Sequence, residues 1–411
     1  EIKERISMTP FKKISVLSCS IKKGASIQRL REQMKELAEF IPEKENIKKP
    51  RLFIDRVFDI KGSGTVVTGT LMNGNLHRNQ YASLFPLNRQ IRLRQLQSYH
   101  DQTAEAVTGS RVAVNLAGVK KSELNRGDLL YGNQEYQFGK VIDVKLILPS
   151  QQPPYLLRNG IEVDFICHTK IMKGRIVFEK KELRSGETSL AQIRFKETLC
   201  LVIGDYYIIR LPGLNVTIGG GRVLDPLASK HSFKKSLWND WLEERKDFAI
   251  EPLILTELKK HQCIKKTDLL QNSLYSKEKI SETLEKMDQN KAIILVKDWV
   301  IDKGFWKIQE NQLLKSLDTL HQQYPFEISF PIVQVRNKLS SVPENFFNNL
   351  LGQLAKTNKI SIKNGQISAF SHSIKLSVYQ QEIVRKIVMF IEKDPGHLPL
   401  KKELEKNFNK S

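Results

Sequence analysis

The sequence of 411 residues lacks several features that would define its class. It contains no run of eighteen apolar residues, so neither a membrane-spanning helix nor a membrane partner is expected. No charged stretch followed by an apolar stretch opens the chain, so a secretion signal is not predicted. The four cysteines lie far apart without a C-x-x-C pair, which argues against zinc fingers and disulfide frameworks. Together these absences favour a reducing, cytoplasmic location.

A phosphate-binding loop is also missing from the sequence. Such a loop needs G-x-x-x-x-G-K-[ST], in which the lysine reaches the phosphates and the hydroxyl binds magnesium. The nearest string, Gly64 to Thr70, lacks the lysine and falls inside a predicted strand. The first fifty residues contain neither an Asn-Lys-x-Asp motif nor an Asp-x-x-Gly motif. The sequence is therefore not expected to assemble a nucleoside-triphosphate site by itself.

Basic residues are in large excess. There are 66 Lys and Arg against 45 Asp and Glu, which gives a net charge of +21 and a pI near 9.6. A surplus of this size favours a polyanionic partner, with RNA as the leading candidate and a merely well-solvated surface as the alternative.

The stretch from Arg51 to Thr70 has the pattern of a β-hairpin. Polar residues interrupt apolar and aromatic ones from Leu52 to Phe58, residues 61–64 supply a Gly-rich turn, and Val and Thr follow. A further turn at 73–75 leaves no room for a crossover helix, which excludes a parallel sheet here. We predict a closed antiparallel β-barrel over residues 50–136 and a second over residues 137–227.

The remaining residues show helical periodicity. Helices followed by a short hairpin within about seventy residues are the outline of a winged helix, a helix-turn-helix variant. We predict one such unit over residues 228–302 and a second over 303–371, where Asn364-Gly365 forms the hairpin turn. Residues 372–411 are predicted to be a partial third unit, which makes the array an internal repeat.

The first 49 residues have the pattern of the end of an α/β domain. Residues 13–19 read as a buried strand, and Leu30, Met34, Leu37 and Phe40 fall on one helical face. A strand, a turn and a helix would form the last unit of such a domain.

Two strings resemble a known family. The residues IDRVFDIKGSGTVVTGTL, positions 54–71, are similar to the opening of the second domain of translational GTPases related to elongation factor Tu. Within that group they most resemble the bacterial selenocysteine-specific elongation factors. TIGGGRVLDP, positions 217–226, resembles the end of the third domain. Ordinary elongation factor Tu ends after its second barrel, so residues 228–411 discriminate against it.

The resemblance implies a multidomain fold with two antiparallel β-barrels followed by an array of winged-helix units. The last strand and helix of an α/β GTPase domain would precede the barrels. It also implies a fragment that lacks most of the GTPase domain and the last winged-helix units. Members of the family deliver selenocysteyl-tRNA to the ribosome at a recoded UGA codon, tethered to a messenger RNA hairpin by winged helices. They use GTP and Mg, which this chain alone is not expected to bind well. A monomer is expected, and enzymatic activity of this chain stays open.

Site residues follow from the same resemblance. Ser18, Cys19 and Ser20 resemble the fifth guanine-recognition motif, where backbone N–H groups contact the base; a plain strand-to-helix turn is the alternative. In the first barrel, Asp55, Arg56 and Arg111 match positions of the family's selenocysteine pocket.

A physical argument supports cationic residues in such a pocket. A selenol is largely ionised at neutral pH, whereas the serine hydroxyl of the mischarged precursor is not. However, Asp55 and Arg56 are neighbours on a strand and should point to opposite faces unless a bulge intervenes. A structural ion pair is therefore an alternative role for Asp55. His168 is assigned no role, because a lone strand histidine is usually a satisfied polar group.

Two other functions remain open at this stage. The chain could be a non-enzymatic winged-helix nucleic-acid-binding protein with barrel modules, or another GTPase of the elongation factor Tu type. The turn at Ser18–Ser20 and the helix after it favour the translation factor, since a stand-alone binding protein has no need for them.

Overall fold

The computed structural model describes residues 6, 14–62, 64–132, 136–150, 155–213, 216–233, 236–339, 342–374, 376–393 and 399–408. The chain divides into two compact units. The first consists of Glu1–Phe248 with Gln271–Lys277, and the second of Ala249–Leu270 with Glu278–Ser411. Within the described ranges, no helix combines the length and apolar character needed to cross a membrane.

The first β domain is a closed antiparallel barrel. Its strands are β1 (Arg51–Phe53), β2 (Arg56–Ile60), β3 (Gly64–Met72), β4 (Leu76–His77), β5 (Tyr81–Phe85), β6 (Arg89–Ser98), β7 (Asp101–Thr103), β8 (Glu105–Ala106), β9 (Arg111–Leu116) and β10 (Leu129–Tyr131). The ring runs β1-β10-β5-β6-β9-β3 and closes where β3 pairs with β1, while β2 extends the ladder beside β3. The predicted antiparallel barrel is confirmed.

Alternation along β3 shows how the barrel fills its interior. Val67 and Leu71 are fully buried, whereas Thr68 and Thr70 lie on the outer face. Between them, Gly69 approaches β1 so closely that a Cβ atom would lie 2.5 Å from the Phe53 carbonyl oxygen. A larger residue at this position would force the strands apart.

The second β domain is also a closed antiparallel barrel. Its strands are β11 (Gly139–Ile147), β12 (Leu156–Arg158), β13 (Glu162–Cys167), β14 (Lys170–Phe178), β15 (Glu182–Arg184), β16 (Thr188–Leu199), β17 (Tyr206–Arg210) and β18 (Thr217–Asp225). The ring runs β11-β16-β14-β13-β17-β18 and closes through β18 and β11. The glycine triplet in β18 allows the backbones of β18 and β11 to approach closely, because a Cβ on Gly221 would lie 1.8 Å from the Lys145 carbonyl oxygen.

The first unit extends beyond the second barrel. It includes helix α2 (Ser236–Glu243), which the sequence pattern had assigned to the winged-helix unit that begins at residue 228. Trp241 and Leu242 of this helix are buried in a small apolar cluster with Phe233 and Leu224, the latter from β18. The helix is therefore packed against the end of the barrel.

The N-terminal segment differs from its prediction. Helix α1 (Gly24–Glu39) forms as expected, although no residue of it is buried. The strand expected over residues 13–19 is absent from the described residues 14–19, which belong to no sheet and are mostly exposed. A strand is stable only when neighbouring strands satisfy its backbone groups, and none of the described strands pairs with this segment.

The second unit contains two successive copies of a similar element order, of which the second copy has one additional helix. The first copy comprises α3 (Ile250–His261), β19 (Cys263–Lys265), α4 (Lys277–Gln289), β20 (Ile294–Val296) and β21 (Trp299–Ile301). The second comprises α5 (Lys303–Gln323), β22 (Phe330–Pro331), α6 (Ile332–Lys338), α7 (Glu344–Lys356), β23 (Ile360–Lys363) and β24 (Gln366–Ala369). The sheets have equivalent orders, β19-β21-β20 and β22-β24-β23. Helices α8 (Val378–Glu392) and α9 (Lys401–Phe408) follow. Helices and a terminal hairpin recur as predicted, and residues 267–270 form turns, so the first copy has no helix at the position of α6.

A buried ion pair joins the two barrels. Both terminal nitrogens of Arg51 donate to the carboxylate of Asp205, each at 3.0 Å, and Arg51 also donates to Asn73. Burial would raise the pKa of Asp205, but the charge of Arg51 and hydrogen bonds from His168 and Arg51 hold that pKa far below its usual value. The carboxylate additionally accepts the backbone N–H of Val202 at 2.8 Å. Every strong donor around Asp205 therefore stabilises its charged form.

We predict that Asp205→Asn destabilises the barrels by about 3–5 kcal/mol, because it leaves the buried guanidinium of Arg51 without its counter-charge. Hydrogen exchange of barrel peptides across a urea titration measures this loss locally. The matched control is Glu162→Gln, which breaks an exposed pair with Lys173 and should cost at most about 1 kcal/mol. Equal effects of the two substitutions would contradict the prediction.

The same pair also predicts an acid dependence. The folded-state pKa of Asp205 lies below its unfolded value of about 3.9. The contribution of Asp205 to the free energy of unfolding is therefore complete at neutral pH, and it is lost only as the pH falls through the folded-state pKa.

Candidate functional site

Asp55 and Arg111 form an ion pair on the outer face of the first barrel. Nη2 of Arg111 lies 2.6 Å from Oδ2 of Asp55, and the hydroxyl of Thr68 donates to Oδ1 of Asp55 at 2.5 Å. The Asp55 side chain is 17% exposed and that of Arg111 is 54% exposed. The mostly buried carboxylate of Asp55 thus binds the protein-facing side of the guanidinium, while much of Arg111 stays exposed to solvent.

A local irregularity brings Asp55 to this face. Strand β1 ends at Phe53 and β2 begins at Arg56. Arg56 is the register partner of Thr68, yet the N–H of Asp55 also donates to the Thr68 carbonyl at 2.8 Å. Two residues thus oppose one, as in a β-bulge, so the strict alternation that would separate Asp55 from Thr68 does not apply.

Arg56 lies on the same outer face as Arg111. Arg56 pairs with Thr68 and Arg111 pairs with Thr70, two positions further along β3, and directly paired residues point to one face. Standard strand spacings put the two arginine Cα atoms about 12 Å apart. Arg56 is exposed and forms no ion pair with any described residue. The structure therefore brings Asp55 and Arg111 into contact, and it leaves Arg56 nearby as a separate cation.

Ser18, Cys19 and Ser20 form an exposed turn tied to the start of α1. The N–H of Ser20 donates to the hydroxyl of Ser26 at 3.0 Å, and that hydroxyl donates back to the Ser20 carbonyl. Because Ser26 occupies the Ser20 N–H, this donor is not available to a guanine base in the conformation described. The sequence also supplies no phosphate-loop lysine or hydroxyl for GTP and Mg, so its residues do not fit the phosphates, and a base contact by Ser18 and Cys19 stays a prediction.

Sequence reasoning missed a cationic groove along β14 and β16. Its charged lining residues are Lys170, Lys173, Arg175, Arg194 and Lys196, with Glu162 and Glu197. Arg175 is the direct register partner of Arg194, and like charges opposite each other destabilise a sheet. The arrangement favours an anion bound across the two strands. The alternating basic residues Lys173 and Arg175, and Arg194 and Lys196, are visible in the sequence. Only the strand register shows that they lie side by side.

Cys167, His168 and Asp205 place three metal-ligand atoms within 4.8 Å of one another. Arg51 nevertheless occupies both oxygens of Asp205, and burial raises the pKa of the Cys167 thiol. His168 lies 3.3 Å from Asp205 and stacks on Phe53 at 4.4 Å between ring centroids. The cluster therefore belongs to the barrel junction, which gives His168 a structural role, and the donor set does not suit a metal ion.

Comparisons with known proteins agree with this architecture. Residues 64–131 match the family model for elongation factor Tu domain 2. A selenocysteine-specific elongation factor of Desulfomicrobium baculatum is 34% identical over 217 residues, which are 52% of this chain and 34% of the relative. One of Haemophilus influenzae is 23% identical over 387 residues, 92% of this chain and 59% of the relative. The crystal structure of a bacterial selenocysteine-specific elongation factor superposes with a TM-score of 0.66 at 20% identity, covering 93% of this chain and 59% of that one.

The paired barrels and the domain 2 match show that the first unit is similar to proteins related to elongation factor Tu. The two relatives and the solved structure to which the chain is similar are selenocysteine-specific elongation factors, as the sequence resemblance predicted. The chain spans about a third of the length of one curated relative and three-fifths of the other.

We predict that Asp55 and Arg111 are energetically coupled by about 1 kcal/mol. The coupling is modest because their ion pair is half-exposed and because Asp55 also accepts a hydrogen bond from Thr68. A double-mutant cycle of Asp55→Ala and Arg111→Ala, measured as the urea stability of the first barrel, gives this coupling. The control cycle combines Asp59→Ala with Arg111→Ala, because the Asp59 carboxylate accepts a hydrogen bond from the Thr65 hydroxyl and forms no contact with Arg111 among those described. Additive effects in the first cycle would show that the contact does not persist in solution.

Proposed function

We propose that this chain carries the aminoacyl-tRNA-binding and RNA-tethering parts of a selenocysteine-specific elongation factor. In the complete protein these parts would deliver selenocysteyl-tRNA to the ribosome in a GTP-dependent way. The observation that carries the proposal is the exposed guanidinium of Arg111, which Asp55 holds in place on the outer face of the domain 2 barrel.

Electrostatics supports a selenolate as the group recognised there. Two unit charges about 4 Å apart attract by roughly 4 kcal/mol at an effective dielectric constant near 20, before desolvation. Half of that energy would discriminate more than tenfold against a neutral seryl group, because about 1.4 kcal/mol corresponds to a factor of ten. Asp55 offsets one positive charge, so the net charge of the site depends on Arg56. We assign Arg111 the direct contact, Arg56 the surplus charge, and Asp55 the placement of Arg111.

The cationic groove of the second barrel supports binding of the tRNA body. Phosphate contacts fix the position of a nucleic acid without reading its sequence. Arg175 and Lys196 form no ion pair with described residues, and Lys173 has only the exposed partner Glu162. These side chains are free to neutralise phosphates on a helical stem of the tRNA.

The repeated units of the second compact unit support a tether to RNA. In each copy a helix and a strand are followed by one or two further helices and a terminal hairpin, an order that resembles winged-helix domains, which bind nucleic acids. We propose that they hold the factor on a hairpin of the messenger RNA. We further propose that the chain acts as a monomer in the cytoplasm. Its functional divisions would follow the domain limits predicted from the sequence, except that the segment up to Phe248 would function with the second barrel.

Arg111→Ala should lower the preference for selenocysteyl-tRNA over seryl-tRNA by at least about tenfold, since it removes the cation and exposes the Asp55 carboxylate to the selenolate. Competition binding with the two tRNAs measures the ratio. The matched control is Arg184→Ala in the second barrel, which removes another exposed arginine paired with a carboxylate, that of Glu182. If affinity for both tRNAs falls equally, Arg111 is a general phosphate contact.

The purified chain should protect the acceptor end of selenocysteyl-tRNA from hydrolysis yet fail to retain GTP, because its sequence lacks the lysine and hydroxyl that hold the phosphates. Filter binding with labelled GTP, alongside the hydrolysis assay, tests both parts. Tight GTP binding would overturn our interpretation of the missing phosphate loop.

A further inference from the structure

A chain of buried hydrogen bonds leads from the segment after the second barrel to the cationic groove. Nε2 of His231 lies 2.9 Å from both carboxylate oxygens of Asp143, and the two side chains are 4% and 1% exposed. The side-chain amide of Gln192 donates to Asp143 at 2.9 Å and to the Ser229 carbonyl at 3.0 Å. The segment around His231 is thereby fixed to strands β11 and β16.

The chain of bonds ends on Arg194, one of the two opposed arginines of the groove. Nε of Arg194 donates to the amide oxygen of Gln192 at 2.7 Å, and its Nη2 donates to the backbone carbonyl of His231 at 3.1 Å. Because Gln192 presents its nitrogen to Asp143, its oxygen must face Arg194. The guanidinium is thus held at two points. Its other N–H groups make no hydrogen bond to the described residues.

Aromatic packing fixes the ring of His231. It stacks on Trp238 of α2 at 4.8 Å between centroids with an interplanar angle of 9°, and Phe233 packs against it edge-on. Burial raises the pKa of Asp143, which the hydrogen bond from His231 opposes. The imidazole therefore occupies one position, and its N–H stabilises the carboxylate to which Gln192 also binds.

We infer that His231 is a positioning residue for RNA binding: docked on Asp143, it holds the guanidinium of Arg194 ready for a phosphate beside Arg175. The inference rests on the proposed function of the groove. Without this support, the guanidinium of Arg194 would sample other rotamers, and ordering it again would weaken phosphate binding. Attachment of the segment after the barrel thus sets the affinity of the groove for an RNA backbone.

A double-mutant cycle on the full chain tests the inference, with anisotropy of a short fluorescein-labelled RNA duplex measured across a range of salt concentrations. Arg194→Ala should lower the salt slope of log affinity by about one, as expected for one lost phosphate contact. His231→Asn, whose amide is too short to reach Asp143, should lower the affinity about three- to tenfold, but should add no loss in the Arg194→Ala background. His231→Gln can still donate to Asp143 and should restore binding.

Three further results decide between the inference and its alternatives. Gln192→Met removes the acceptor of Arg194 through a different link, so it should reproduce the loss even if His231→Asn does not fold. Equal losses from His231→Asn with and without Arg194 would make His231 merely structural and overturn the inference. If Arg194→Ala, Lys173→Ala and Lys196→Ala all leave RNA binding unchanged, the groove is not the RNA site and the proposed function of the second barrel fails instead.

Discussion

The first unit depends on a charge pair that is excluded from water. Arg51 begins the first barrel and Asp205 precedes β17 of the second, so their contact fixes the two barrels in one mutual arrangement. Removing two charges from water is costly, and this pair meets that cost with two parallel hydrogen bonds and additional partners on each side. The outer faces of both barrels can then act as one surface towards a long ligand.

The two candidate RNA contacts, Arg111 and Arg194, are positioned in the same way. In each, a polar side chain holds an arginine on its protein side while other N–H groups of the guanidinium remain open: Asp55 holds Arg111, and Gln192 holds Arg194. A guanidinium oriented in advance loses less conformational entropy when an anion binds. The supporting groups differ, since a carboxylate offsets the charge of Arg111, whereas a neutral amide leaves that of Arg194 undiminished. The first arrangement suits discrimination at one atom, and the second suits attraction to a phosphate backbone.

Alternating apolar and polar residues were enough to predict both barrels, because a sheet buried on one face imposes a period of two. The same reasoning failed at residues 14–19, whose composition favours a strand but which have no partner strand among the described residues. It also could not decide the orientation of Asp55, which depends on two residues sharing Thr68 across the ladder. The groove could not be predicted from the sequence for a related reason. Arg175 and Arg194 become neighbours only through the pairing of β14 with β16.

The bulge opposite Thr68 has an evolutionary consequence. It confines an irregularity to two residues, while the ring around it keeps its strand order and its closure. Under the proposed function, substitutions at Asp55 and Arg56 would therefore change which chemical group the surface prefers without disturbing the architecture beneath. The same proposal implies that one barrel architecture would serve for different amino acids carried on tRNA.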